Sequence, residues 1–463
     1  MNAIIFTAIW GVVMMLGGAF IKNKATPKYL AIFGLTVILI SNCIEFDKGR
    51  PLLFVDVKNM LIFNSFNLTF ITIALACTLL YFLLNARDFE KVGENVSEYF
   101  ALIFFVLCGI SIISTFNSLL MLFIGIEIVS IPLYILTGSD KQNLKSNEAA
   151  LKYFLMGAFS TGIMLLGIAF LYGGSTTGSF YISNIISGNE PMPAMIAAGL
   201  VLLLVSMSFK VSAAPFHFWT PDVYDGAPTV FTSFMATIVK AAAFFAFVRL
   251  FENTFGSMHQ QWQTLIVILT AATLLIGNLT AVFQQSVKRM LAYSSIAQAG
   301  FMLFALFALN SLAKEGLILY SAAYSLASIG IFAILIKMKD YTIDGFNGLG
   351  KQQPVLALTA TIFLLSLTGI PLTAGFQSKF YMLMAAVKNG NHIWLVIFAV
   401  ICAAISAYYY FRIIQAMYFK ESTEDTIVIE TITPAFKMML LITAALLMAL
   451  GLFPNLLTDW LYF

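Results

Sequence analysis

Residues 206–229 read SMSFKVSAAPFHFWTPDVYDGAPT, and they follow the apolar run AMIAAGLVLLLV at 194–205. Lys210 stands where a helix that crosses a membrane should still continue, and Pro215 is the first of three prolines in the stretch. Proline removes a helical hydrogen bond and clashes with the carbonyl four residues earlier. The stretch therefore predicts an interrupted helix with a positive charge beside its break.

The composition identifies the class of protein. Hydrophobic residues make up 60% of the 463 residues, charged residues 10%, and the mean hydropathy is +0.92. A soluble domain carries about 25% charged residues, so this chain has too little polar surface for a soluble globule. Many apolar runs approach the ~20 residues that cross a bilayer. We interpret the chain as an all-α membrane protein that crosses the bilayer many times.

Fourteen apolar segments divide the chain, and we interpret them as transmembrane helices. One of them is too long for a single straight helix, and the residues PLTAG (371–375) interrupt it. A second segment carries its own break at Pro215. The segments are 4–21, 29–44, 63–84, 97–115, 117–136, 149–172, 194–219, 228–251, 262–283, 290–309, 315–337, 354–387, 391–413 and 434–456.

The two interrupted segments resemble each other in composition. SFKVSAAPFHFW and SLTGIPLTAGFQSKF both combine small residues, a proline and one lysine, which is Lys210 or Lys379. Interrupted helices in corresponding positions of two halves are typical of an ion pathway. We expect two inverted five-helix repeats, with discontinuous seventh and twelfth helices, inside one polytopic domain. The parts are three N-terminal helices (1–96), the repeats 97–251 and 262–419, and a last helix (434–456) within 1–463.

Lysine and arginine in alternate loops predict the orientation. The side with more basic residues should be cytoplasmic, and an even number of helices then leaves both termini on the periplasmic side. The richer side holds Lys22, Lys24, Lys28, Arg87, Lys91, Lys141, Lys145, Lys288, Arg289, Lys337, Lys339, Lys351, Lys420 and Lys437. The other side holds Lys48, Arg50, Lys58, Lys314 and Lys388.

A few ionisable residues fall inside the apolar segments. Glu127 and Lys240 are central in theirs, Lys210 and Lys379 lie beside the breaks, and Lys152 is close to the start of its segment. A charge at the centre of a bilayer costs about 2.5–3.5 kcal/mol on an insertion scale. Such residues usually serve an ion or proton pathway, so we predict a functional role for this set.

The residue type favours proton movement. Arginine stays charged in proteins, whereas a buried lysine can lose its proton. A glutamate–lysine pair that forms and breaks can therefore act as a proton switch. Two other interpretations remain open: Glu127 and a lysine could form a static ion pair, and Lys152, Arg249 and Arg412 could extend to the membrane surface.

The sequence contains no motif that predicts a metal site, a redox centre or a nucleotide site. Cys43, Cys77, Cys108 and Cys402 are scattered through apolar segments without a histidine nearby, so they do not predict a metal or iron–sulfur site. Neither glycine-rich nucleotide motif is present. We expect no cofactor and no metal in this chain. The net charge of +3 is explained by the basic loops and predicts no nucleic-acid partner.

Three stretches carry a resemblance to a known family. PFHFWTPDVYDGAPT (215–229), VKRMLAYSSIAQAGF (287–301) and GIPLTAGFQSKF (369–380) closely resemble subunit N of bacterial respiratory complex I, the NADH:quinone oxidoreductase. That family is related to the antiporter-like subunits L and M and to the Mrp antiporter subunits. The PDVYDGAP variant favours subunit N over L and M, and the resemblance covers nearly the whole chain.

The resemblance implies a role for each ionisable residue. Glu127 resembles the conserved glutamate of the fifth helix, Lys210 its partner on the broken seventh helix, and Lys240 the central lysine of the eighth. Lys379 resembles the exit-side lysine of the broken twelfth helix, and Lys152 the lysine of the sixth. Together they imply a hydrated row that moves protons, coupled to electron transfer in other subunits.

The resemblance also implies surroundings for the chain. The implied location is the bacterial cytoplasmic (inner) membrane. The implied partners are subunit M as neighbour, the small subunits K and J, the more distant A and H, and membrane lipids. NADH, FMN, iron–sulfur clusters and quinone would be bound by partner subunits.

One position departs from the family pattern. Relatives often carry histidine where this chain has Gln298, and glutamine can order water but cannot take up a proton near neutral pH. Tyr293 and Ser294, with the adjacent Ser295, are possible auxiliary residues or ordinary packing residues. His217 is an auxiliary candidate or a helix-end packing residue. We expect Pro215, Pro371 and Gly375 to form the helix breaks, and Asp222 and Asp225 to cap a turn.

Two other functions remain possible on the sequence. An Mrp-type cation/proton antiporter subunit would use the same intramembrane charges, although PDVYDGAP argues against it. A structural spacer without its own proton path would be compatible with static ion pairs. Lys240, which has no obvious carboxylate in its own segment, argues against the spacer.

Overall fold

The fold is built from long apolar helices, because such segments satisfy their backbone hydrogen bonds internally and so tolerate a membrane. A computed structural model describes residues 1–21, 23, 25–175, 177–185, 193–422, 427–429 and 432–462. In these residues the regular structure is helical, and β-pairing is limited to isolated bridges. Lys22 and Lys24, two of the basic residues assigned to the cytoplasmic side, lie outside the described residues.

The helices follow one another with short connections. Short 3₁₀ turns lie at Asp88–Lys91, Ile182–Asn184, Gly256–Met258, Asp344–Phe346 and Asp459–Tyr462, and a π-helical turn lies at Met235–Val239. The α-helices are α1 (Asn2–Phe20), α2 (Thr26–Lys48), α3 (Ser65–Asn85), α4 (Val96–Thr115), α5 (Leu119–Thr137), α6 (Leu144–Gly174), α7 (Ala194–Lys210), α8 (Trp219–Gly226), α9 (Thr229–Phe234), α10 (Lys240–Phe255), α11 (His259–Val282), α12 (Val287–Met302), α13 (Phe304–Ala308), α14 (Ser311–Leu335), α15 (Leu349–Gln352), α16 (Pro354–Thr368), α17 (Ala374–Asn389), α18 (Ile393–Phe419), α19 (Pro434–Leu452) and α20 (Asn455–Thr458).

Eleven helical segments of the described chain are long and apolar enough to cross a membrane. One of them, Thr229–Val282, runs for 54 residues and contains α9, the π-helical turn, α10 and α11. Two shorter apolar helices, α7 and α16, end at the breaks described below. The all-helical membrane class predicted from composition is confirmed.

Burial differs strongly from helix to helix. The apolar part of α14 is 100% buried, and this helix packs against α3, α16, α17 and α19 at the centre of the second half. Only 22% of α1 is buried, and apolar side chains such as Leu16 and Phe20 project outwards from it. Exposed apolar side chains on a helix are stable only against lipid or another protein, so α1 lies at the periphery of the chain and faces one of these two.

The first break ends α7 at Lys210, and α8 begins at Trp219. Between them the backbone takes a left-handed conformation at Ser212 (φ 63°) and a cis peptide precedes Pro215. The interruption predicted around Pro215 is confirmed, but the helix ends five residues before the proline. The Ser212 hydroxyl accepts a hydrogen bond of 2.7 Å from Thr220, which ties the two sides of the break together.

The second break lies between α16 and α17. Gly369 (φ 91°) and Leu372 (φ 76°) both take left-handed conformations, and Thr373 caps the first turn of α17 by accepting from the Phe376 amide. Pro371 is exposed at this break. Gly375 packs directly against the backbone of Ser366, so the start of α17 touches the end of α16. The helix is interrupted at 369–373, so Pro371 lies in the break as predicted, whereas Gly375 is already the second residue of α17 and was wrongly assigned to the break.

Charged residues gather at one end of the helix bundle. Ion pairs join Lys337 to Asp88, Arg289 to Asp222 and Lys420 to Asp344. The isolated bridge between residues 286 and 342 links the segment before Arg289 to the segment before Asp344. We call this the lysine-rich end. Its members come from the loops that the charge count assigned to the cytoplasm.

Arg249 does not extend to the membrane surface as expected. It is 5% exposed, and its guanidinium donates to the carbonyl of Phe116 at 2.9 Å and to the Asn67 amide oxygen at 2.8 Å. The expectation failed because Arg249 finds the free carbonyls at the end of α4, where a positive charge is favoured. Arg412 similarly donates to the Val282 carbonyl, at the end of α11, at 2.8 Å.

Candidate functional site

Lys240 is the first residue of α10, immediately after the π-helical turn Met235–Val239. Its side chain is 2% exposed, and its ammonium donates to the Ser295 hydroxyl at 2.8 Å and to the Ser295 carbonyl at 3.2 Å. The Tyr224 ring lies 5.6 Å from the same nitrogen. In the described chain no carboxylate forms an ion pair with Lys240. Neutral oxygens and an aromatic ring therefore hold a buried cation without a fixed counter-charge.

Lys379 is held in a similar way at the second break. It lies on α17, is 6% exposed, and reaches back to the end of α16. Its ammonium donates to the carbonyls of Leu367 at 2.8 Å and Thr368 at 2.9 Å, and the Phe301 ring lies 4.6 Å away. The last carbonyls of a helix lack intrahelical partners and carry a partial negative charge. The Lys379 ammonium therefore satisfies the two carbonyls that the end of α16 leaves without an intrahelical partner.

Lys210 is the last residue of α7 and is half-buried. Its ammonium donates to the hydroxyls of Ser130 at 3.1 Å and Thr161 at 3.5 Å. Glu127 lies one turn before Ser130 on α5 and interacts electrostatically with this ammonium, although the described residues show no direct ion pair between them. Among the described contacts, the hydroxyls of Ser130 and Thr161 are the groups that bind the Lys210 ammonium.

A small cavity of about 40 Å³ lies beside Lys210. Ser130, Tyr153, Val239 and Ala243 contribute to its wall, so it connects α5 and α7 with the π-helical turn and α10. A site needs about 10–15 Å³ and several polar partners to hold a water molecule. The cavity has that room, with the lysine and a hydroxyl on one side, and it extends towards the helix that carries Lys240.

Gln298 occupies the meeting point of five helices. Its amide nitrogen donates to the Leu367 carbonyl at 2.8 Å and to the Tyr410 hydroxyl at 3.3 Å, and its oxygen accepts a short hydrogen bond from Tyr320. Leu367 is therefore shared between Gln298 and Lys379. A void of about 10 Å³ lies among Gln298, Tyr320 and Lys379. Gln298 is thus placed to link the surroundings of the two buried lysines.

The serines of α12 extend this link. Ser295 binds Lys240, and the preceding Ser294 forms a short hydrogen bond with Tyr410, which also binds Gln298. The Ser295 hydroxyl itself donates to the Ala292 carbonyl, and among the described contacts no hydrogen bond joins it to Ser294. Ser294, Tyr410 and Gln298 therefore form a separate hydrogen-bonded group, which reaches the Leu367 carbonyl that Lys379 binds. Tyr293 contributes no such link among the described contacts and packs against the hydrophobic core.

Lys152 lies apart from the buried lysines, at the lysine-rich end. Its side chain is 40% exposed and forms ion pairs of 2.8 Å with Glu148 and 2.9 Å with Asp222. Asp222 also pairs with Arg289 at 3.1 Å, so Asp222 bridges two cations instead of capping a turn as expected. Burial opposes its ionisation, but hydrogen bonds and charges from Lys152 and Arg289 hold the pKa of Asp222 below its ordinary value. The Asp225 carboxylate (Oδ2) lies 3.8 Å from the Arg289 guanidinium (Nη1), so Asp225 belongs to the same group of charges as Lys152, Asp222 and Arg289.

His217 lies in the first break, half-buried, with its Nδ1 atom unpaired among the described contacts. The four cysteines are free, and the described residues contain no cluster of three or more potential metal ligands. Neither observation adds a further chemical group to the lysine row.

Sequence reasoning missed the neutral partners of the lysines. Ser130 could have been found, because it lies three residues after Glu127 and so shares its helix face. The Leu367 carbonyl and the rings of Tyr224 and Phe301 could not have been found, because contacts between segments far apart in the chain leave no local pattern in the sequence. The π-helical turn before Lys240 likewise has no distinctive residue type.

The family described as "NADH:quinone oxidoreductase/Mrp antiporter, TM" matches residues 116–406. The chain is 40% identical to NADH-quinone oxidoreductase subunit N of Cytophaga hutchinsonii over 467 aligned positions, which cover 99% of each chain. This chain belongs to the NADH-quinone oxidoreductase subunit N family. The resemblance seen in the three sequence stretches is confirmed.

Solved structures agree with membership in the subunit N family. A chain of respiratory complex I from Thermus thermophilus with bound aureothin superposes with a TM-score of 0.84 at 32% identity, over 99% of this chain and 98% of that one. A chain of the Mrp complex from a Dietzia species superposes with a TM-score of 0.85 at 18% identity, over 99% and 95%. The second likeness concerns the fold alone. Subunit N relatives therefore describe this chain more closely than Mrp subunits do.

Proposed function

We propose that the chain is a proton-translocating subunit in the membrane arm of a NADH:quinone oxidoreductase, driven by electron transfer in other subunits. The observation that carries this proposal is Lys240, a buried lysine held by Ser295 and Tyr224 with no ion-paired carboxylate in the described chain. A lysine in such surroundings can exist with or without its proton, because no fixed negative charge stabilises the protonated form over the neutral one. This is the property that a carrier in a proton row needs.

The proposed row begins at Glu127 and Lys210 and continues through Lys240 to Lys379. The cavity beside Lys210 supplies room for water on the way to α10. From Lys240 the path reaches Ser295 and then crosses, by way of water, to the hydrogen-bonded group of Ser294, Tyr410 and Gln298. That group contacts the Leu367 carbonyl, which Lys379 also binds. The Gln298 amide cannot carry a proton itself, so its role here is to orient hydroxyls and water.

Lys152 has a different place in this proposal. It is ion-paired with Glu148 and Asp222 at the lysine-rich end, next to Tyr153, whose ring lines the cavity at Lys210. We assign Lys152 to proton entry at the surface rather than to the buried row. His217, Tyr293 and Ser294 have auxiliary roles, of which the hydrogen bond between Ser294 and Tyr410 is the best supported.

The proposed architecture has fourteen transmembrane helices. Dividing Thr229–Val282 into two helices, and joining α7 to α8 and α16 to α17 across their breaks, accounts for this number. The lysine-rich end faces the cytoplasm and both termini face the periplasm. The parts are the three N-terminal helices (1–96), two inverted repeats (97–251 and 262–419) and the last helix (434–456).

The proposal assigns the redox chemistry to partner subunits. NADH, FMN, iron–sulfur clusters and quinone would be bound there, and this chain would supply the proton path. Its neighbours would be an M-type antiporter-like subunit and small K-type and J-type subunits, with A-type and H-type subunits further away. The membrane would be the bacterial cytoplasmic membrane.

The test compares Lys240→Ala with Lys240→Arg in vesicles that contain the assembled oxidoreductase. Both changes should reduce NADH-driven acidification and quinone reduction together, because arginine keeps the charge but cannot release its proton. The matched controls are Lys351→Ala and Lys351→Arg, since Lys351 is 72% exposed and pairs only with the exposed Glu421 among the described contacts. Full pumping by Lys240→Arg would show that a fixed positive charge is sufficient and would contradict a carrier role.

A further inference from the structure

A groove of about 300 Å³ opens at the lysine-rich end, far from the lysine row. Its walls come from the first turn of α2, the end of α3, and the first turn of α19. The volume is comparable to that of small-molecule sites, which start at about 300 Å³. Nothing in the proposed proton path uses this groove.

Three basic residues surround the groove: Lys28, Arg87 and Lys337. The Lys28 side chain is only 12% exposed, and its carboxylate neighbour Glu90 lies at 3.9 Å, the outer limit of an ion pair. The Arg87 guanidinium is exposed, and in the described chain no carboxylate pairs with it. Lys337 is held by Asp88 at 2.8 Å. Lys28 and Arg87 are thus the two cations that remain available to an anion.

The backbone adds to this positive field. Both α2 and α19 begin beside the groove, and each helix N-terminus carries about half a positive elementary charge. The side chain of Thr433 already accepts from the amide of Phe436 in the first turn of α19. A helix N-terminus favours phosphate and other oxyanions.

Part of the groove wall is apolar, and its side chains are exposed. Leu83 is 43% exposed, Met438 57% and Tyr29 63%, and all three line the groove. A free inorganic anion would use none of this apolar wall. A phospholipid uses both parts, since its phosphate binds the cations while its acyl chains lie on the apolar side chains.

We propose that this groove binds the phosphodiester headgroup of an anionic phospholipid, with Lys28 and Arg87 as its main contacts. Clusters of basic residues between membrane helices at one membrane surface are typical of such sites. The lipid would join α2 to α19, which are far apart in the sequence, and would fill the space between the three N-terminal helices and the last transmembrane helix.

The test titrates the purified full-length chain, in a non-ionic detergent, with dioleoyl phosphatidylglycerol and counts bound lipid by native mass spectrometry. The double variant Lys28→Gln/Arg87→Gln should weaken binding by roughly tenfold or more, because it removes two cations near the headgroup. The control Lys351→Gln/Lys420→Gln removes two exposed cations at the same end but outside the groove. It should bind like the unmodified chain.

Three further measurements make the result specific. Dioleoyl phosphatidylcholine should bind more weakly than phosphatidylglycerol, because its choline group offsets the phosphate charge. Inorganic phosphate at millimolar concentration should not displace phosphatidylglycerol, and Met438→Trp should reduce binding by filling the apolar wall. Helix content by circular dichroism confirms that each variant folds.

Several outcomes would overturn the proposal. An equal loss of phosphatidylglycerol binding in both double variants would mean that net charge alone attracts the lipid. Unchanged binding in the groove variant would place the lipid elsewhere, and displacement by inorganic phosphate would make this a free-anion site. The proposal is supported if Lys28→Gln/Arg87→Gln loses phosphatidylglycerol binding, Lys351→Gln/Lys420→Gln keeps it, and Met438→Trp also loses it.

Discussion

The two helix breaks stabilise their lysines in different ways. At the first break Lys210 ends its own half-helix, is half-buried, binds two hydroxyls and interacts with the charge of Glu127. At the second break Lys379 lies on the following half-helix, is 6% exposed and binds two carbonyls of the preceding one. The same combination of small residues, proline and lysine therefore produces one site with a nearby carboxylate and one without.

The breaks also differ in their use of glycine. Residues 211–218 contain no glycine, and Ser212 takes the left-handed conformation itself. The second break uses Gly369 at φ 91° and places Gly375 against the backbone of Ser366. A left-handed conformation costs a non-glycine residue about 1 kcal/mol, which the hydrogen bond of Ser212 with Thr220 offsets. The first break is thus closed by side chains, and the second by close backbone packing.

Gly375→Ala should have the largest effect, because its Cβ atom would overlap the Ser366 carbonyl, which is backbone and cannot move aside. Overpacking of this kind costs roughly 1–3 kcal/mol or more, so assembly of the subunit should fall sharply. Gly162→Ala is the control, since a Cβ atom there has no neighbour within 4 Å. Blue-native gels measure assembly, and normal assembly of Gly375→Ala would show that the second break does not depend on close packing.

Lys379→Met should abolish most proton pumping while the subunit still assembles. Methionine keeps much of the apolar stem, and removing a buried charge relieves its desolvation. Because Lys379 has no ion-paired carboxylate in the described chain, the change leaves no buried anion behind. The loss should be roughly tenfold or more, as for the removal of a proton-transfer group.

Lys388→Met is the matched control for Lys379→Met, because Lys388 lies on the same helix and is exposed. Vesicle acidification and blue-native gels on the same membranes separate transport from assembly. Failed assembly of Lys379→Met alone would indicate a structural role for this lysine, and full pumping would exclude it from the proton row.

The contrast between the breaks shows how far sequence reasoning extends. The interruptions and the lysines beside them were predictable, because proline, small residues and a charge stand out within apolar runs. The hydrogen-bond partners of these lysines were not predictable. Lys379, for example, binds two carbonyls whose positions depend on how α17 packs against α16. Arg249 illustrates the same limit. Its place near the end of an apolar segment predicts a side chain that extends to the membrane surface, and only the folded structure shows the end of α4 beside it.

Glu127→Gln tests whether the first break needs its carboxylate. Pumping should fall by about three- to tenfold, because a charge interaction beyond direct contact is worth on the order of 1 kcal/mol in a partly polar site. Ser130 and Thr161 remain to hold Lys210, so the loss should be smaller than for Lys379→Met. Glu421→Gln is the control, as Glu421 is 87% exposed and pairs with Lys351. A loss as large as that of Lys379→Met would mean that the hydroxyls contribute little.

Asp222→Asn should have the smallest effect of the four. Asp222 bridges Lys152 and Arg289, but its side chain is 38% exposed and its partners are 40% and 34% exposed. Exposed ion pairs contribute about 0–1 kcal/mol, so assembly should be nearly normal and pumping should fall less than about twofold. The measurement is NADH-driven acidification across a series of salt concentrations, since salt screens exposed charges and should reduce the difference from the unmodified chain. A large loss that salt does not change would place the Asp222 carboxylate in the proton path beside Lys152, and the first break would then depend on two carboxylates where the second uses none.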